Sequence, residues 1–545
     1  MGKKTILMSA AFLLATGAAA IVPPTMGWAS WNAYRVNISE EIVCKAADAM
    51  AEKGLRDVGY DHINIDDGFF GGRAADGTLL IHPSRFPNGL KPVVDHIHRL
   101  GFKAGIYSDA GSNTCGNFWD NDKIAEGVGF YGHDRGDADF YFRKMGFDYI
   151  KIDFCGGDPA QNTKHLDLDE RERYMAIRKA IAKTRRKDVR INICRWAFPG
   201  TWVHSAGNAW RISADIRTNW NSIKYILGKN RYLSAFADGR GYNDMDFLVI
   251  GFGLPEAEER THFGMWCIQS SPLFISCRTE TLSQASLNLL KNRELIALNQ
   301  DPLGLQARVV RVENGVYLYA KDVETLNGKT RAVALCNLSD EEQLFRLDMA
   351  EVDLAGKVKV RDLFACADAG TLTDGTMTVA VPPHDTRIYR LEASERLERT
   401  VYEAETAWLE RFQDIGMNPK QGYATYEDMA GCSGGGKVAW LGMDPGNWLE
   451  WRDVYSLEGG VYDMDLRYVQ HEDRFVNVSV NGGRDVRLEL PAREPGAGHL
   501  ASATLRVALK KGRNTIRLSN PSAWSADIDC MHLRPVYAMG TSDVR

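Results

Sequence analysis

The sequence predicts an α/β chain in which a (β/α)8 TIM barrel is followed by two all-β sandwich domains. Two observations carry this prediction. Eight short apolar runs alternate with amphipathic helical segments in the first half of the chain, and two sets of short alternating runs follow, with a charged segment between them. Because 545 residues exceed what one hydrophobic core normally organises, several domains are expected.

The predicted barrel strands end where polar residues cluster, as the active sites of such barrels require. The amphipathic segments between them carry apolar residues three and four positions apart, as in Ser39 to Lys53, Leu90 to Leu100, Asp137 to Met145 and Glu170 to Thr184. An open, doubly wound sheet is the alternative fold. The eight strand-like runs are Met26 to Trp31, His62 to Asp66, Lys103 to Ser108, Tyr149 to Phe154, Val189 to Cys194, Trp210 to Asp215, Phe247 to Gly251 and Leu273 to Cys277.

Changes in sequence texture define the domain boundaries. We expect the barrel at 21–303 and an antiparallel β-sandwich at 304–393, because runs such as Val316 to Ala320 alternate like exposed strands. A charged linker at 394–400 then leads into a second sandwich at 401–537 and a tail at 538–545. We find no internal repeat at a solenoid period.

The N-terminus resembles a secretory signal. Lys3 and Lys4 precede an apolar stretch and three small residues ending at Ala20, so residues 1–20 are predicted to be a signal peptide that is removed on export. The alternative, a transmembrane anchor, needs about 20 apolar residues, more than this run has. A periplasmic or extracellular protein is therefore expected, with no membrane insertion after cleavage.

Composition excludes several classes of function. The net charge of −5 is small and the charges are mixed, so there is no basic stripe for nucleic acid. The ten cysteines are sparse and show no C-x-x-C spacing, which indicates local disulfides or buried thiols rather than a metal site.

Two aspartates at strand ends are the candidate catalytic residues. Asp153 ends one predicted strand and Asp215 ends another, and two such carboxylates can cleave a glycosidic bond as nucleophile and acid/base. Lys151 lies two residues before Asp153, hence on the same strand face, and its ammonium favours the ionised carboxylate. We expect Asp215 to be a partly buried acid that holds its proton near neutral pH.

Two other interpretations of these aspartates remain open. Either one is explained equally well as a helix N-cap, and a cluster of carboxylates also suits a hard cation such as calcium or magnesium. A rim that gathers carboxylates suits hydroxyl-rich ligands too, and tryptophans there can stack on sugar C–H groups. The other rim residues are Asp66, Asp67, Asp109, Asp244, Asp246, Trp28, Trp31 and Trp196.

Seven motifs in order resemble glycoside hydrolase family 27, the retaining α-galactosidases and α-N-acetylgalactosaminidases, over roughly Pro24 to Leu391. They are Met26-Gly27-Trp28, Ile65-Asp66-Asp67-Gly68, Gly105-Ile106-Tyr107-Ser108-Asp109, Tyr149-Ile150-Lys151-Ile152-Asp153, Trp210-Arg211 with Asp215, Asn243-Asp244 through Gly251, and Asn299-Gln300-Asp301-Pro302-Leu303-Gly304.

The resemblance implies a role for each matching position. Asp153 is expected to be the nucleophile and Asp215 the acid/base, with no cofactor for catalysis. Asp66 and Asp67 are expected to bind the galactose 4- and 6-hydroxyls. The remaining residues implied at the site are Lys151 and Arg211 on ring hydroxyls, Trp31 and Tyr107 lining the pocket, and Cys115 and Cys155 as a disulfide beside it, with two buried thiols as the alternative.

Two departures from the family pattern stand out. Where relatives often carry Cys-Glu-Trp, this chain has Cys194-Arg195-Trp196, which replaces an acceptor with a cation that has five donors. We hypothesise that Arg195 contacts the substrate O2 or an acidic aglycone, and the alternative is a surface ion pair. Gly68 stands where many relatives have a cysteine, and its expected partner is absent too.

The third unit resembles carbohydrate-binding modules of families 6 and 35, through Tyr402-Glu403-Ala404-Glu405, Gly446 to Trp451 and Asp527-Ile528-Asp529. That resemblance implies a structural calcium on Glu403, Glu405 and Asp529, whose oxygens suit the ion. It also implies a sugar-binding loop near Asn520 and Trp524. The alternative is a sandwich that only packs on the enzyme.

The leading hypothesis is an exported, retaining exo-α-galactosidase that acts on galactose-containing oligosaccharides or polysaccharides. β-L-Arabinopyranosidase and α-N-acetylgalactosaminidase share the mechanism, and the paired Asp66 and Asp67 favour galactose because an arabinopyranose lacks the C6 hydroxymethyl group. A non-catalytic glycan-binding protein is the hypothesis from another class.

Overall fold

The computed structural model describes residues 21–414, 422–470, 472–492 and 498–536. The predicted signal peptide at 1–20 and the tail at 538–545 lie outside these ranges. No helix in the described part of the chain has both the length and the apolar character needed to cross a membrane.

The first unit is a parallel barrel, as predicted. Its sheet has the order β10-β1-β2-β5-β6-β7-β8-β9, and a parallel bridge between Leu248 and Ile275 joins its two ends. A small hairpin of β3 and β4 lies beside it. The strands are β1 Met26–Ala29, β2 His62–Asn64, β3 Phe70–Arg73, β4 Leu79–Ile81, β5 Lys103–Asp109, β6 Tyr149–Asp153, β7 Arg190–Ile193, β8 Ala209–Arg211, β9 Tyr242–Asp244 and β10 Leu273–Ile275.

Helices alternate with these strands. The α-helices are α1 Trp31–Tyr34, α2 Glu40–Glu52, α3 Lys91–Arg99, α4 Cys115–Trp119, α5 Asp134–Ala138, α6 Glu170–Lys183, α7 Val203–Ala206, α8 Trp220–Asn230, α9 Glu256–Ile268, α10 Gln284–Leu290 and α11 Arg293–Asn299, with a π-helix at Asp139–Met145. Short 3₁₀ turns lie at Arg56–Val58, Lys123–Ala125, Cys155–Gly157, Leu233–Phe236, Thr279–Thr281, Met349–Val352, Ala404–Thr406 and Ser433–Gly435.

Local sequence explains the confirmed helices. The Ser39 side chain accepts a hydrogen bond from the backbone N–H of Ile42 and caps α2, which buries Val43, Ala47 and Met50 on one face. Asp169 caps α6 in the same way. The segment predicted as one helix from Asp137 to Met145 is instead the end of α5 followed by the π-helix.

The prediction of the seventh barrel strand was wrong. That strand is β9, Tyr242–Asp244, and the more apolar run Phe247 to Gly251 follows it. Val249 and Ile250 are fully buried, but only Leu248 bridges to a neighbouring strand. The hydrophobic pattern therefore predicted which segment is buried, but the segment that pairs as a strand is the more polar one before it.

The second unit is an antiparallel sandwich. A six-stranded sheet of order β11-β12-β13-β18-β15-β16 lies against the pair β14-β17, and their inner faces share a core that includes Leu318, Leu335 and Leu391. The strands are β11 Arg308–Glu313, β12 Val316–Asp322, β13 Thr330–Asn337, β14 Gln343–Asp348, β15 Leu354–Asp362, β16 Ala367–Leu372, β17 Thr376–Val381 and β18 Thr386–Arg396.

The third unit is also built from two antiparallel sheets. One has the order β21-β22-β29-β24-β27, with β19 paired to β29, and the other has the order β20-β23-β28-β25-β26. The strands are β19 Val401–Glu403, β20 Trp408–Leu409, β21 Thr425–Asp428, β22 Gly436–Ala439, β23 Trp448–Ser456, β24 Gly460–Gln470, β25 Arg474–Val480, β26 Val486–Leu490, β27 His499–Leu509, β28 Gly512–Ser519 and β29 Asp527–Pro535.

The linker is shorter than predicted. Residues 394–396 belong to β18, and β19 begins at Val401, so the connection has no freely exposed charged stretch. Arg396 and Arg399 turn inward toward the buried carboxylate of Asp353, with nitrogen-to-Oδ2 distances of 3.5 and 3.6 Å. Two of the charges that suggested a linker therefore bind the connection to Asp353 of the second unit.

Candidate active site

Lys151 and Asp153 lie side by side on β6, as the strand period of two requires. The Lys151 Nζ is 3.8 Å from Asp153 Oδ2 and 3.3 Å from Asp66 Oδ2. Three aromatic rings surround this ammonium, with centroids 5.8 Å away for Trp31, 5.3 Å for Tyr107 and 5.3 Å for Phe247. The Lys151 ammonium therefore lies between two carboxylates and is surrounded by aromatic rings.

Burial, more than the lysine, sets the charge state of Asp153. Desolvation raises the pKa of Asp153 to about 6, although the Lys151 cation acts in the opposite direction. The predicted effect of the lysine is present but smaller than the cost of burying the carboxylate. Asp153 Oδ1 is buried and has no hydrogen-bond partner among the described residues.

Asp215 differs from the prediction. Its side chain is 53% exposed rather than buried, and its Oδ1 accepts a hydrogen bond from Arg211 Nη2 at 3.0 Å. Partial desolvation raises the pKa of Asp215, but the cations of Arg211 and Lys151 outweigh it and the pKa lies below its usual range. Without substrate, therefore, Asp215 is a carboxylate held by Arg211 and not a protonated acid.

A second carboxylate, Asp246, holds the same arginine, although its position in the sequence suggested no role beyond the rim. Arg211 is 2% exposed, and its Nη2 is 2.8 Å from Asp246 Oδ2. Asp246 also accepts hydrogen bonds from the backbone N–H groups of Ile216 and Phe247 at 2.7 and 2.8 Å. Its backbone is left-handed, with φ of 75°, a property that the sequence did not reveal.

Asp66 and Asp67 follow β2 but face different partners. Asp66 faces Lys151, whereas the Asp67 carboxylate accepts the backbone N–H of Gly68 at 2.8 Å and that of Gly116 at 2.7 Å. Burial raises the pKa of Asp67 to about 7, although these donors lower it. A Cβ at Gly116 would lie 2.6 Å from Asp67 Oδ2, so glycine is needed there.

The disulfide implied by the resemblance is present. Cys115 and Cys155 are joined, with Cα atoms 5.2 Å apart, and the backbone N–H of Cys115 donates to the Tyr107 hydroxyl at 3.2 Å. Asp109, at the end of β5, accepts the backbone N–H of Gly156 at 3.0 Å. The loops after β5 and β6 are thereby held together beside Asp153.

Arg195 lies in an ion pair, which was the alternative to substrate contact. Its Nε donates to Glu170 Oε2 at 2.8 Å, and its guanidinium lies 5.1 Å from the Phe154 ring. The neighbouring Trp196 has a left-handed backbone, with φ of 60°, which is uncommon outside glycine and costs free energy. Before them, Cys194 Sγ lies 3.6 Å from Arg211 Nη1, so this loop starts at the catalytic centre.

The predicted metal ligands lie far along the chain, in the third unit. Glu403 Oε1 accepts the Ser433 hydroxyl at 2.6 Å and Asp529 Oδ1 accepts the Ser433 backbone N–H at 2.7 Å. Glu403 and Asp529 approach each other and Cys530, with one atom of each within 4.8 Å of the others. Glu405, the third predicted ligand, is not in that group. Three buried oxygens, Glu403 Oε2 and both of Glu405, have no hydrogen-bond partner among the described residues and fit a cation, whereas Asp529 Oδ2 lies 3.4 Å from Arg467 Nε.

Known proteins match the barrel and the second unit of this chain. The family model described as alpha galactosidase A matches residues 23–301, and that of the alpha galactosidase C-terminal beta sandwich domain matches residues 313–391. A probable alpha-galactosidase of Dictyostelium discoideum is 35% identical over 393 residues, 69% of this chain and 96% of its own length. The alpha-galactosidase of Oryza sativa is 36% identical over 374 residues, 68% of this chain and 84% of its own.

Solved structures agree as well. Alpha-galactosidase I from Mortierella vinacea superposes with a TM-score of 0.62 at 29% identity, covering 70% of this chain and all of that one. The alpha-galactosidase from Saccharomyces cerevisiae, solved with raffinose, has a TM-score of 0.60 at 26% identity, covering 68% of this chain and 98% of that one. A β-L-arabinopyranosidase from Geobacillus stearothermophilus, at 23% identity and a TM-score of 0.58, covers 68% of this chain and 97% of that one and shares the fold.

Proposed function

Because the chain belongs to glycoside hydrolase family 27, the α-galactosidase family, we propose that it removes terminal α-D-galactosyl residues by double displacement. One observation supports this mechanism above the others. Two carboxylates lie at one end of the barrel, each beside a cation. Asp153, at the end of β6, is buried beside Lys151, and Asp215, in the loop after β8, is exposed beside Arg211.

In the first step, a carboxylate oxygen of Asp153 attacks the anomeric carbon and the bond to the leaving oxygen breaks. Asp215 supplies the proton that the leaving oxygen needs. Because its pKa is low in the free enzyme, the substrate must raise it by excluding water and by drawing Arg211 toward ring hydroxyls. The Michaelis complex, rather than the free enzyme, therefore creates the acid.

In the second step, Asp215 takes a proton from water, and the water oxygen displaces Asp153 from the anomeric carbon with overall retention. Once Asp153 is esterified, its negative charge is gone. The Asp215 carboxylate is then free of the repulsion from the Asp153 charge, while the cations of Arg211 and Lys151 remain beside it, which favours its ionised form as a base.

We assign the specificity for the sugar to Asp66 and Asp67, the carboxylates after β2. Asp66 and Lys151 are placed to share the substrate hydroxyls, and Asp67 is fixed by two backbone donors. As the family implies, the substrates are galactose-containing oligosaccharides, of which raffinose is the one bound in the yeast structure. β-L-Arabinopyranosidase and α-N-acetylgalactosaminidase activity remain the competing specificities.

Hydrolysis of three 4-nitrophenyl glycosides tests this proposal. We expect α-galactoside to be the best substrate, with Asp153→Asn losing essentially all turnover while still binding galactose. Asp215→Ala should regain activity when azide is added to a substrate with a good leaving group. Asp95→Asn, an exposed aspartate paired with Lys91, is the matched control. Full activity of Asp153→Asn would refute the assignment of the nucleophile.

Residues 1–20 are proposed to direct export to the periplasm or the medium. The basic start, apolar run and alanines at 18–20 support this. N-terminal sequencing of the protein from cell fractions should give a start near Ile21. A full-length chain retained in the cytoplasm would contradict the proposal.

The third unit is proposed to be a carbohydrate-binding module with a calcium ion held by Glu403, Glu405 and Asp529. The buried oxygens without partners support the ion, and Trp440, which is 54% exposed beside Trp524, offers a face for a sugar. Calcium should raise Tm against a chelator, and Glu405→Gln should abolish that rise. Glu427→Gln, an exposed glutamate of the same unit, should keep it. A domain that only packs on the enzyme would bind no galactan.

A further inference from the structure

The loop after β7 carries Arg195 and Trp196 and has few hydrogen bonds within itself. It runs from Cys194 to Trp202 and leads into α7, which has only four residues. Its own hydrogen bonds are few: the Trp202 indole N–H donates to the Pro199 carbonyl at 2.9 Å, and the Val203 N–H donates to the Gly200 carbonyl at 3.3 Å. An irregular loop of this kind needs outside contacts to hold one conformation.

The third unit supplies those contacts through residues 408–414, which we call the docking segment. The Asp414 backbone N–H donates to the Phe198 carbonyl at 2.8 Å. The Thr201 hydroxyl donates to the Glu410 carbonyl at 3.0 Å. Two backbone carbonyls, one from each unit, thus depend on this contact for a partner, and a buried carbonyl without a partner costs free energy.

Aromatic packing reinforces these hydrogen bonds. The Phe412 ring stacks on the Phe198 ring, with centroids 5.6 Å apart and planes 22° apart. Phe198 is fully buried, and it also packs on Phe236 of the barrel at 4.5 Å. The Phe412 ring therefore joins two barrel rings, Phe198 and Phe236, to Tyr426 of the third unit.

Phe198 lies only two residues after Trp196, whose left-handed backbone needs support from its surroundings. We propose that the docking segment is a positioning element for the active site, and that Phe412 fixes where Trp196 lies beside the bound sugar. The inference rests on the proposed function, because it assumes that this loop borders the substrate. It gives the third unit a role in sugar recognition whether or not that unit binds a glycan itself.

Kinetics of Phe412→Ala in the full-length protein test the inference. We expect the KM for 4-nitrophenyl α-galactoside to rise about threefold or more, and the preference over its 2-deoxy analogue to change by about fivefold, since a misplacement of about 1 Å can cost roughly 100-fold. Phe412→Leu, which keeps most of the apolar contact, should recover most of both values.

Arg231→Ala is the matched control. Arg231 Nη2 donates to the Gly434 carbonyl, so this substitution removes a contact between the same two units at a place away from the loop. It should leave KM and the substrate preference unchanged. A purely structural role for Phe412 would lower the active fraction, and hence kcat, for both substrates equally, with KM and the preference unchanged. That result would overturn the inference, whereas an inactive wild type would instead refute the proposed function.

Discussion

Replacing Asp246 with asparagine separates the two carboxylates that hold Arg211. The side chains have almost the same shape, so the change removes a charge without opening a cavity. Asp246 Oδ2 and Asp215 Oδ1 lie at nearly equal distances from Arg211 Nη2, 2.8 and 3.0 Å. The two side chains differ mainly in exposure, 4% against 53%.

That difference sets the expected magnitudes. Asp246→Asn leaves the buried Arg211 guanidinium with a weaker partner, and breaking a buried pair in this way costs roughly 3–5 kcal/mol. The amide must also turn its NH2 toward a backbone N–H or toward the arginine, because Ile216 and Phe247 both donate to Asp246. Asp215→Asn breaks an exposed pair and should cost about 0–1 kcal/mol.

Urea unfolding at pH 7 measures both values, with equal m-values required for the comparison. The pH dependence of kcat/KM gives a second measurement. Because the Asp246 and Asp215 charges repel each other, removing Asp246 should lower the pKa of Asp215, which is the lower of the two catalytic pKa values in the free enzyme, and so move the acid limb of kcat/KM to lower pH. Destabilisation of the two variants within about 1 kcal/mol of each other would refute the argument that burial, rather than distance, decides these energies.

Three further predictions follow from the site. In the free enzyme the pKa of Asp153 is about 6 and that of Asp215 is below its usual range, so the singly protonated pair is lost above pH 6 and kcat/KM should fall as the pH passes 6. Lys151→Met should move that alkaline limb upward by removing a cation from beside Asp153; an unmoved limb would count against the pairing. The Cys115→Ala/Cys155→Ala double variant should lose about 3–4 kcal/mol of unfolding free energy, because the bond closes a loop with a sequence separation of 40. Burial raises the pKa of Asp109 well above its usual range, so Asp109→Asn should cost under about 1 kcal/mol in thermal melts and Asp109→Ala about 1–3 kcal/mol.

Much of the site was predictable because strands impose a simple geometry. Lys151 and Asp153 are two residues apart, so the strand period alone puts both side chains on one face. The carboxyl ends of parallel strands meet at one end of a barrel, which brings Asp66 and Arg211 to the same place. The seventh strand was missed because a hydrophobic run and a hydrogen-bonded strand are not the same segment there.

Electrostatic details were predicted less well, because they depend on burial. The sequence predicted that Asp215 ends a strand, whereas β8 ends at Arg211 and Asp215 lies in the loop after it; its exposure was not predictable either. It could not pair Arg195 with Glu170, which lies 25 positions earlier on α6. The charged residues taken as a linker were, in the fold, the inward-facing partners of Asp353.

The sequence by itself determined the fold class, the order of the strands around most of the barrel and the residues that border its catalytic end. Those features follow from short-range periodicity and from motifs that sit within a few residues of one another. The tertiary structure alone decided the charge state of Asp153 and Asp215 and the docking of Phe412 on Phe198. Desolvation and packing depend on neighbours that are close in space and distant along the chain, and no local pattern contains them.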